Sequence, residues 1–328
     1  MPLCKIVTVL IFAGYLASHS AIAYPQEISY PVITTQPDKK SSSERLREIL
    51  VHLSETIGER NLRKPEKLKE AADFIFGSFE KSGYSLERQT FKVSGMECLN
   101  IVAEVTGTTH PKEIILVGAH YDSVQGSPGA NDNGTGTAAL LLIAERFRGK
   151  KFARTLRFVA FSNEEPPYFQ RDGYMGSWIY AKACRERSDD LQVVISLETM
   201  GYFTDEPQSQ KYPPLLAALY PSTGNFIGFV SNLESRKLLQ DTFVKFRQHC
   251  QVPCERAALP GELQGVGWSD HWSFWQEGYQ GIMVTDTALF RYPHYHLDTD
   301  TVDKVDFDRY SQVVDGLTRV VEDFADKK

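Results

Sequence analysis

Three short apolar runs, each followed by a residue that can ligate a metal or move a proton, constrain this chain more than any other feature. "EIILVGA" is followed by His120, Asp122 and Asp132, and "RTLRFVAFS" by Glu164 and Glu165. "LQVVISLE" ends on Glu198, and "QGIMVTD" is a further run of the same form. Runs of this length without polar alternation suit strands buried on both faces. Amphipathic stretches lie between them: "TAALLLIAERF", "ESRKLLQDTFVKFRQHC" and "DFDRYSQVVDGLTRVVEDFAD". Strands alternating with helices predict a three-layer α/β/α domain around a central mixed, largely parallel sheet. In such sheets ligands bind beyond the carboxyl ends of the strands, where these acidic residues and histidines fall.

The N-terminal part predicts two further helices. "SSSERLREILVHLSETI" opens on a Ser/Glu start and places Leu46, Ile49, Leu50 and Leu53 on one face. "KPEKLKEAADFIFGSFEKSG" reads as a helix ending at Gly83. "SLERQTFKV" and "NIVAEVTG" alternate as strands do. Residues 41–328 are expected to form one catalytic domain. Residues 1–23 have one lysine, an apolar stretch from Ile6 to Leu16 and small residues at Ala21 and Ala23, the pattern of a cleaved secretory signal. That stretch is shorter than the roughly 18–20 residues a spanning helix needs. The expectation is therefore export, to the periplasm or beyond, with no stable membrane insertion after cleavage. Residues 24–40, with three prolines, read as a tether.

A net charge of −6 and the lack of long basic tracts speak against nucleic acid as a partner. Export would permit disulfides. "HCQVPC" sets Cys250 and Cys254 four apart, close enough to bridge if the chain turns there, the alternative being two free buried thiols. Imidazole and carboxylate donors converging on one sheet edge suit zinc or a similar divalent ion. His294 and His296, in "YPHYHLDTDT", are both candidates to join them. The sequon at Asn133 is adjacent to Asp132, where a glycan would block any site.

"GAHYDS", "GANDNGTG", "NEE" followed by "GYMGS", "SLETMGY", "SDHWSFW" and "YHLDTDT" resemble, in order, the motifs of the M28 family of co-catalytic zinc peptidases. The resemblance implies the zinc-dependent exopeptidase fold, aminopeptidase activity on peptide substrates and two zinc ions per chain. It implies that Asp132 bridges the ions, that His120 and Glu198 complete one site, and that Glu165 and His296 complete the other. His296 is preferred over His294 because it opens the family's His-x-x-x-Asp-Thr spacing, with Asp300 and Thr301 following. Glu164 would be the general base acting on a metal-bridged water. Asp122, Ser269, Asp270 and Asp300 would stand behind the ligands, Asp122 fixing the His120 ring. A non-proline cis peptide after Asp132 is also implied.

"CQVPC" resembles a small disulfide loop beside the family's substrate pocket, with Val252 where an aromatic residue is usual. Val252, Trp272, Met283, Phe290 and Tyr295 are the candidates to line that pocket. "PPYFQRD", after Glu165, is an insertion expected to form a loop over the site's rim. Two alternatives share the fold: a carboxypeptidase, for which Arg291 is the candidate cation, and a single-zinc glutaminyl cyclase. The oligomeric state is not readable from the sequence.

Overall fold

A computed structural model describes residues 40–214 and 216–326. The expected signal at 1–23 and residues 24–39 of the expected tether lie outside the described residues. Eight strands form one mixed sheet in the order β1-β2-β4-β3-β5-β8-β6-β7. They are β1 (Ser85–Val93), β2 (Met96–Val105), β3 (His110–His120), β4 (Arg154–Phe161), β5 (Asp190–Glu198), β6 (Ile227–Ser231), β7 (Cys254–Ala258) and β8 (Ile282–Thr285). The centre is parallel: β3 pairs with β4 and β5, and β5 pairs with β8, all in the same sense. The antiparallel pairings lie toward the two edges, at β1/β2, β2/β4 and β6/β8.

The uninterrupted apolar runs have a simple cause. Side chains alternate across a strand, and on β3 Ile115, Val117 and Ala119 enter one core while Ile114 and Leu116 enter another. The larger core is covered by helices α1 (Ser42–Val51), α2 (Pro65–Lys81), α3 (Gly136–Arg146), α5 (Arg236–His249) and α8 (Phe307–Ala325). The smaller core lies under α4 (Gly176–Glu186) and α6 (His271–Gln276). A further short helix, α7, spans Ala288–Arg291. Ser41 caps α1 with the reciprocal Ser41/Glu44 bonds expected of a Ser-x-x-Glu start, and Pro65 opens α2.

The chain leaves β3 through α3 to reach β4, then crosses beneath β3 through α4 to reach β5. The connection leaving β3 and the one leaving its neighbour β4 thus run to opposite faces of the sheet, which opens a crevice between their carboxyl ends. Two strands, β6 and β7, were not legible in the sequence. β7 is the edge strand and reads "CERAA", all partly exposed, without the apolar run of a central strand.

The expected bridge between Cys250 and Cys254 is not formed; both are free thiols. Burial pushes them up, to about 11 and about 12. Cys250 ends α5 and packs toward α8, its Sγ 3.5 Å from the carbonyl of Gln312. Gly316 permits this approach: a Cβ there would stand 2.7 Å from that of Cys250.

Phe229 on β6 is fully buried between Phe243 and Phe246 of α5, with ring centroids at 5.9 and 4.9 Å. Phe229→Ala should cost about 3–5 kcal/mol of stability, through lost burial and the cavity left behind. Urea denaturation monitored by tryptophan fluorescence would measure it. A loss under about 1 kcal/mol would mean that the β6–α5 contact is not part of the core.

Candidate metal centre

His120 is the last residue of β3, and Glu198 the last of β5. Glu164 and Glu165 follow β4, and Asp132 lies in the wide turn that leads into α3. His296 arrives from the segment between α7 and α8. Three elements of backbone strain frame them. Asn163, Thr199 and His296 have φ of 61°, 38° and 60°, each a left-handed conformation that costs a non-glycine residue about 1–3 kcal/mol. They place Glu164, Glu198 and His296 itself. Gly129, with φ 61°, begins the Asp132 turn; a Cβ there would stand 2.5 Å from the Asp132 carbonyl. The Asp132–Asn133 peptide is cis.

These residues form two clusters that share one member. The ligating atoms of His120, Asp132 and Glu198 lie within 4.8 Å of one another, as do those of Asp132, Glu165 and His296. His120 Nε2 is 3.1 Å from Glu198 Oε2 and 3.6 Å from Asp132 Oδ1. His296 Nε2 is 3.1 Å from Asp132 Oδ2 and 3.2 Å from Glu165 Oε2. Asp132 thus turns one oxygen to each cluster. Glu164 belongs to neither, though its Oε2 is 3.9 Å from His120 Nε2.

The electrostatics are those of crowded negative charge. Burial pushes Glu164 well above the ordinary carboxylate range, Glu165 to about 8, and Glu198 upward. Burial works against a charged His120, but Glu198 and Glu164 outweigh it and raise the imidazole well above its usual value. His296 rises to about 11 against the same burial, through Asp132 and Glu165. Asp132 Oδ2 and Glu165 Oε1 are buried and accept no hydrogen bond. Native proteins rarely leave buried carboxylate oxygens without donors. Mixed nitrogen and oxygen donors around such oxygens fit zinc-type ions.

The surrounding residues set the geometry. Asp122 accepts the backbone N–H of Glu164 at 3.1 Å and of Glu165 at 3.2 Å, so it fixes that tight turn. Its contact with the His120 ring, expected from the sequence, is a looser 3.5 Å to Nδ1. Asp300 accepts the N–H of Asn131 at 2.8 Å and of Asp132 at 3.0 Å, and the Tyr292 hydroxyl at 2.7 Å. Ser269 donates to Glu198 at 2.7 Å. Asp270 is fully buried, with its carboxyl pushed up to about 7 by burial. His271 donates to or accepts from no ligand; its Nε2 is 2.8 Å from the Val266 carbonyl. His294 bonds Thr299 at 2.9 Å, outside both clusters. Asn133 is fully buried, its amide donating to the Leu197 carbonyl and accepting from Gly136 and Thr199, so no glycan can be attached there.

Several supporting residues gave no signal in the sequence. Arg60, fully buried, donates to the carbonyls of Tyr121, Pro128 and Gly129 at 2.6–2.8 Å. It ties the loop after β3 to the turn before Asp132. Asn131 donates to Asp286 at 2.8 Å. These contacts span sequence separations that no local pattern records.

A cavity opens beside Glu198. Met283, Phe290 and Tyr295 line it, and the Tyr295 ring stacks on His296 at 3.9 Å. Two sequence candidates do not line it. Val252 is buried in the main core, because the turn carrying it folds toward α8. Trp272 packs edge-on against Trp178 at 4.9 Å, away from this cavity. The "PPYFQRD" segment reaches the cavity's rim: Gln170 donates to the Gly267 carbonyl at 3.0 Å, and Phe169 meets Trp268, a lining residue, at 6.4 Å.

Comparison with known proteins agrees with this geometry. The pattern of Peptidase family M28 matches residues 100–321. The chain is 33% identical to the uncharacterized protein YfbL of Escherichia coli K12, over 85% of this chain and 87% of that one. Other curated relatives, 24–27% identical, are named as aminopeptidases, and the chain spans about half the length of most of them. Among solved structures, the zinc aminopeptidase BSAP from Bacillus subtilis superposes with a TM-score of 0.70 at 16% identity, covering 87% of this chain and 95% of that one. A glutaminyl cyclase from Fimbriiglobus ruber gives 0.64 at 19%, covering 90% and 99%. With its family pattern running from β2 into α8 and zinc-type donors gathered at the sheet's carboxyl edge, this chain belongs to peptidase family M28 and is a metallo-exopeptidase.

Proposed function

We propose that this chain is a two-zinc aminopeptidase that removes N-terminal residues from peptides, with Glu164 as its general base. The observation that carries the reading is the Asp132 carboxylate, which faces His120 with one oxygen and His296 with the other. On this reading His120, Asp132 and Glu198 hold one ion, and Asp132, Glu165 and His296 hold the second. Zinc bound there would supply Lewis acidity to a water molecule and to the substrate carbonyl. Glu164, in neither ligand set and pushed upward by burial, takes a proton from that water. It then returns the proton to the departing amine. Asp122 keeps Glu164 and Glu165 turned to their separate tasks by holding both backbone N–H groups.

The carboxypeptidase alternative loses its cation. Arg291 is buried behind the cavity wall, is not among the residues that line it, and donates from Nε to Gln210 and from Nη1 to the carbonyls of Phe226 and Tyr202, which speaks against a role in holding a substrate carboxylate. The cyclase alternative needs one ion, whereas the donors fall into two sets. The signal-like residues 1–23 support export, to the periplasm or outside the cell. Among the described residues no helix is long and apolar enough to cross a membrane.

Elemental analysis of the zinc-equilibrated chain should find two ions per chain; one ion would turn the reading toward the cyclase. Glu164→Gln should lower kcat on aminoacyl substrates about 10²–10⁴-fold with both ions retained. Substantial residual turnover would remove Glu164 from the role of base. His296→Ala should reduce bound zinc while His294→Ala should not, and the reverse result would reassign the ligand. Asp300→Asn keeps the shape but replaces one acceptor oxygen with a donor. It should weaken zinc binding about 10–100-fold in a chelator competition, with circular dichroism unaltered.

A further inference from the structure

The far end of the cavity holds a feature that the reaction does not use. Glu198, Thr285, Gly228 and Glu255 lie opposite one another on β5, β8, β6 and β7. Residues in register on neighbouring strands share a face of the sheet, and strands stand about 4.8 Å apart. Three such steps put the Glu255 backbone roughly 14 Å from that of Glu198. All four residues line the cavity. Gly228 has no side chain, and the Thr287 methyl, 3.3 Å from where a Cβ would stand, borders the path between Thr285 and Glu255.

Glu255 is half-buried, and none of the hydrogen bonds or ion pairs found among the described residues engages its carboxylate. Its neighbour Arg256 alternates to the other face, where the guanidinium sits 4.6 Å over the Phe243 ring. Burial pushes the Glu255 carboxyl upward, against the opposing pull of the Arg256 and Arg247 charges. Tyr212 and Tyr220, which also line the cavity, stack at 5.7 Å and feel the charge of Glu255. Their hydroxyls are committed to the carbonyls of Pro221 and Arg256. A metal-ligand end, an apolar passage and a carboxylate beside aromatic rings follow one another in line. A long side chain with an apolar stem and a cationic head matches that sequence.

We propose that Glu255 makes this cavity selective for peptides whose N-terminal residue is lysine or arginine. The proposal rests on the aminopeptidase reading, which seats the N-terminal residue at the Glu198 end. A leucine would stop short of Glu255 and leave it unpaired. A glutamate would meet a like charge.

The test uses the zinc-loaded full chain and the 7-amido-4-methylcoumarin derivatives of lysine, arginine, leucine and glutamate. Lysine and arginine should exceed leucine in kcat/KM by at least tenfold. In Glu255→Gln the lysine-to-leucine ratio should fall at least fivefold, mainly through KM, with zinc content retained. A wild-type preference for leucine, or a smaller fall in the ratio, would overturn the proposal. Should no derivative be hydrolysed, the aminopeptidase reading fails instead. Calorimetric titration with L-argininamide then decides the pocket: binding weakened at least fivefold in Glu255→Gln upholds it. Equal binding, or none to wild type, overturns it.

Discussion

The structure around the site depends on holding buried carboxylates close together against their repulsion. Asp122, Asp132, Glu164, Glu165 and Glu198 are all buried at one sheet edge. The protein gives hydrogen-bond donors to the outer members of this group. Asp122 receives two backbone N–H groups, Asp300 behind the turn receives two more, and Ser269 serves Glu198. The innermost oxygens, Asp132 Oδ2 and Glu165 Oε1, receive none. Inner carboxylate oxygens left without hydrogen-bond donors suit a cation, because donors there would compete with it. Arg60 contributes a fixed positive charge in the same region without taking a carboxylate oxygen, since its donors go to carbonyls.

The central strands were readable because burial on both faces leaves a mark that local sequence carries. Ile114 to Ala119 feed two cores, so no polar residue interrupts them. His120, Glu164, Glu165 and Glu198 stood out because they close or closely follow those runs, whereas Asp132 and His296 were singled out as ligands through the family resemblance. β6 and β7 were not readable: each has five residues, and the edge strand is half exposed, so neither a long apolar run nor strict alternation arises. Arg60 and Asp286 were missed because their partners are about 60 and 155 residues away. Val252 was misplaced for a related reason. Its position in sequence beside β7 does not reveal which core the turn enters, and Val252 is buried in the larger one while its neighbour Cys250 contacts α8.

The fold alone does not choose the reaction. A glutaminyl cyclase covers as much of this chain as the zinc aminopeptidase does, and such similarity speaks of architecture only. The discriminating feature is local. The proposed two-zinc reading rests on Glu165 and His296, whose ligating atoms gather with the Asp132 oxygen that faces away from His120. His296 does so from a left-handed backbone conformation, which costs free energy and persists only where the surroundings enforce it.

The division of labour across the sheet explains how one fold can carry different preferences. His120, Glu164, Glu165 and Glu198 come from the ends of β4, β3 and β5, at the sheet's centre, where hydrogen bonds on both sides fix each strand. A change there disturbs charge, packing and ligation together. Glu255 stands three strands beyond β5, on an edge strand, and its side chain bonds to none of those residues. A residue placed there can alter what the cavity accepts without moving the proposed metal ligands and base. The antiparallel turn of β6 against β8 makes this arrangement available, because it brings the amino ends of β6 and β7 to the edge where the central strands finish. The selective end of the cavity and its reactive end thus share one face while resting on different strands.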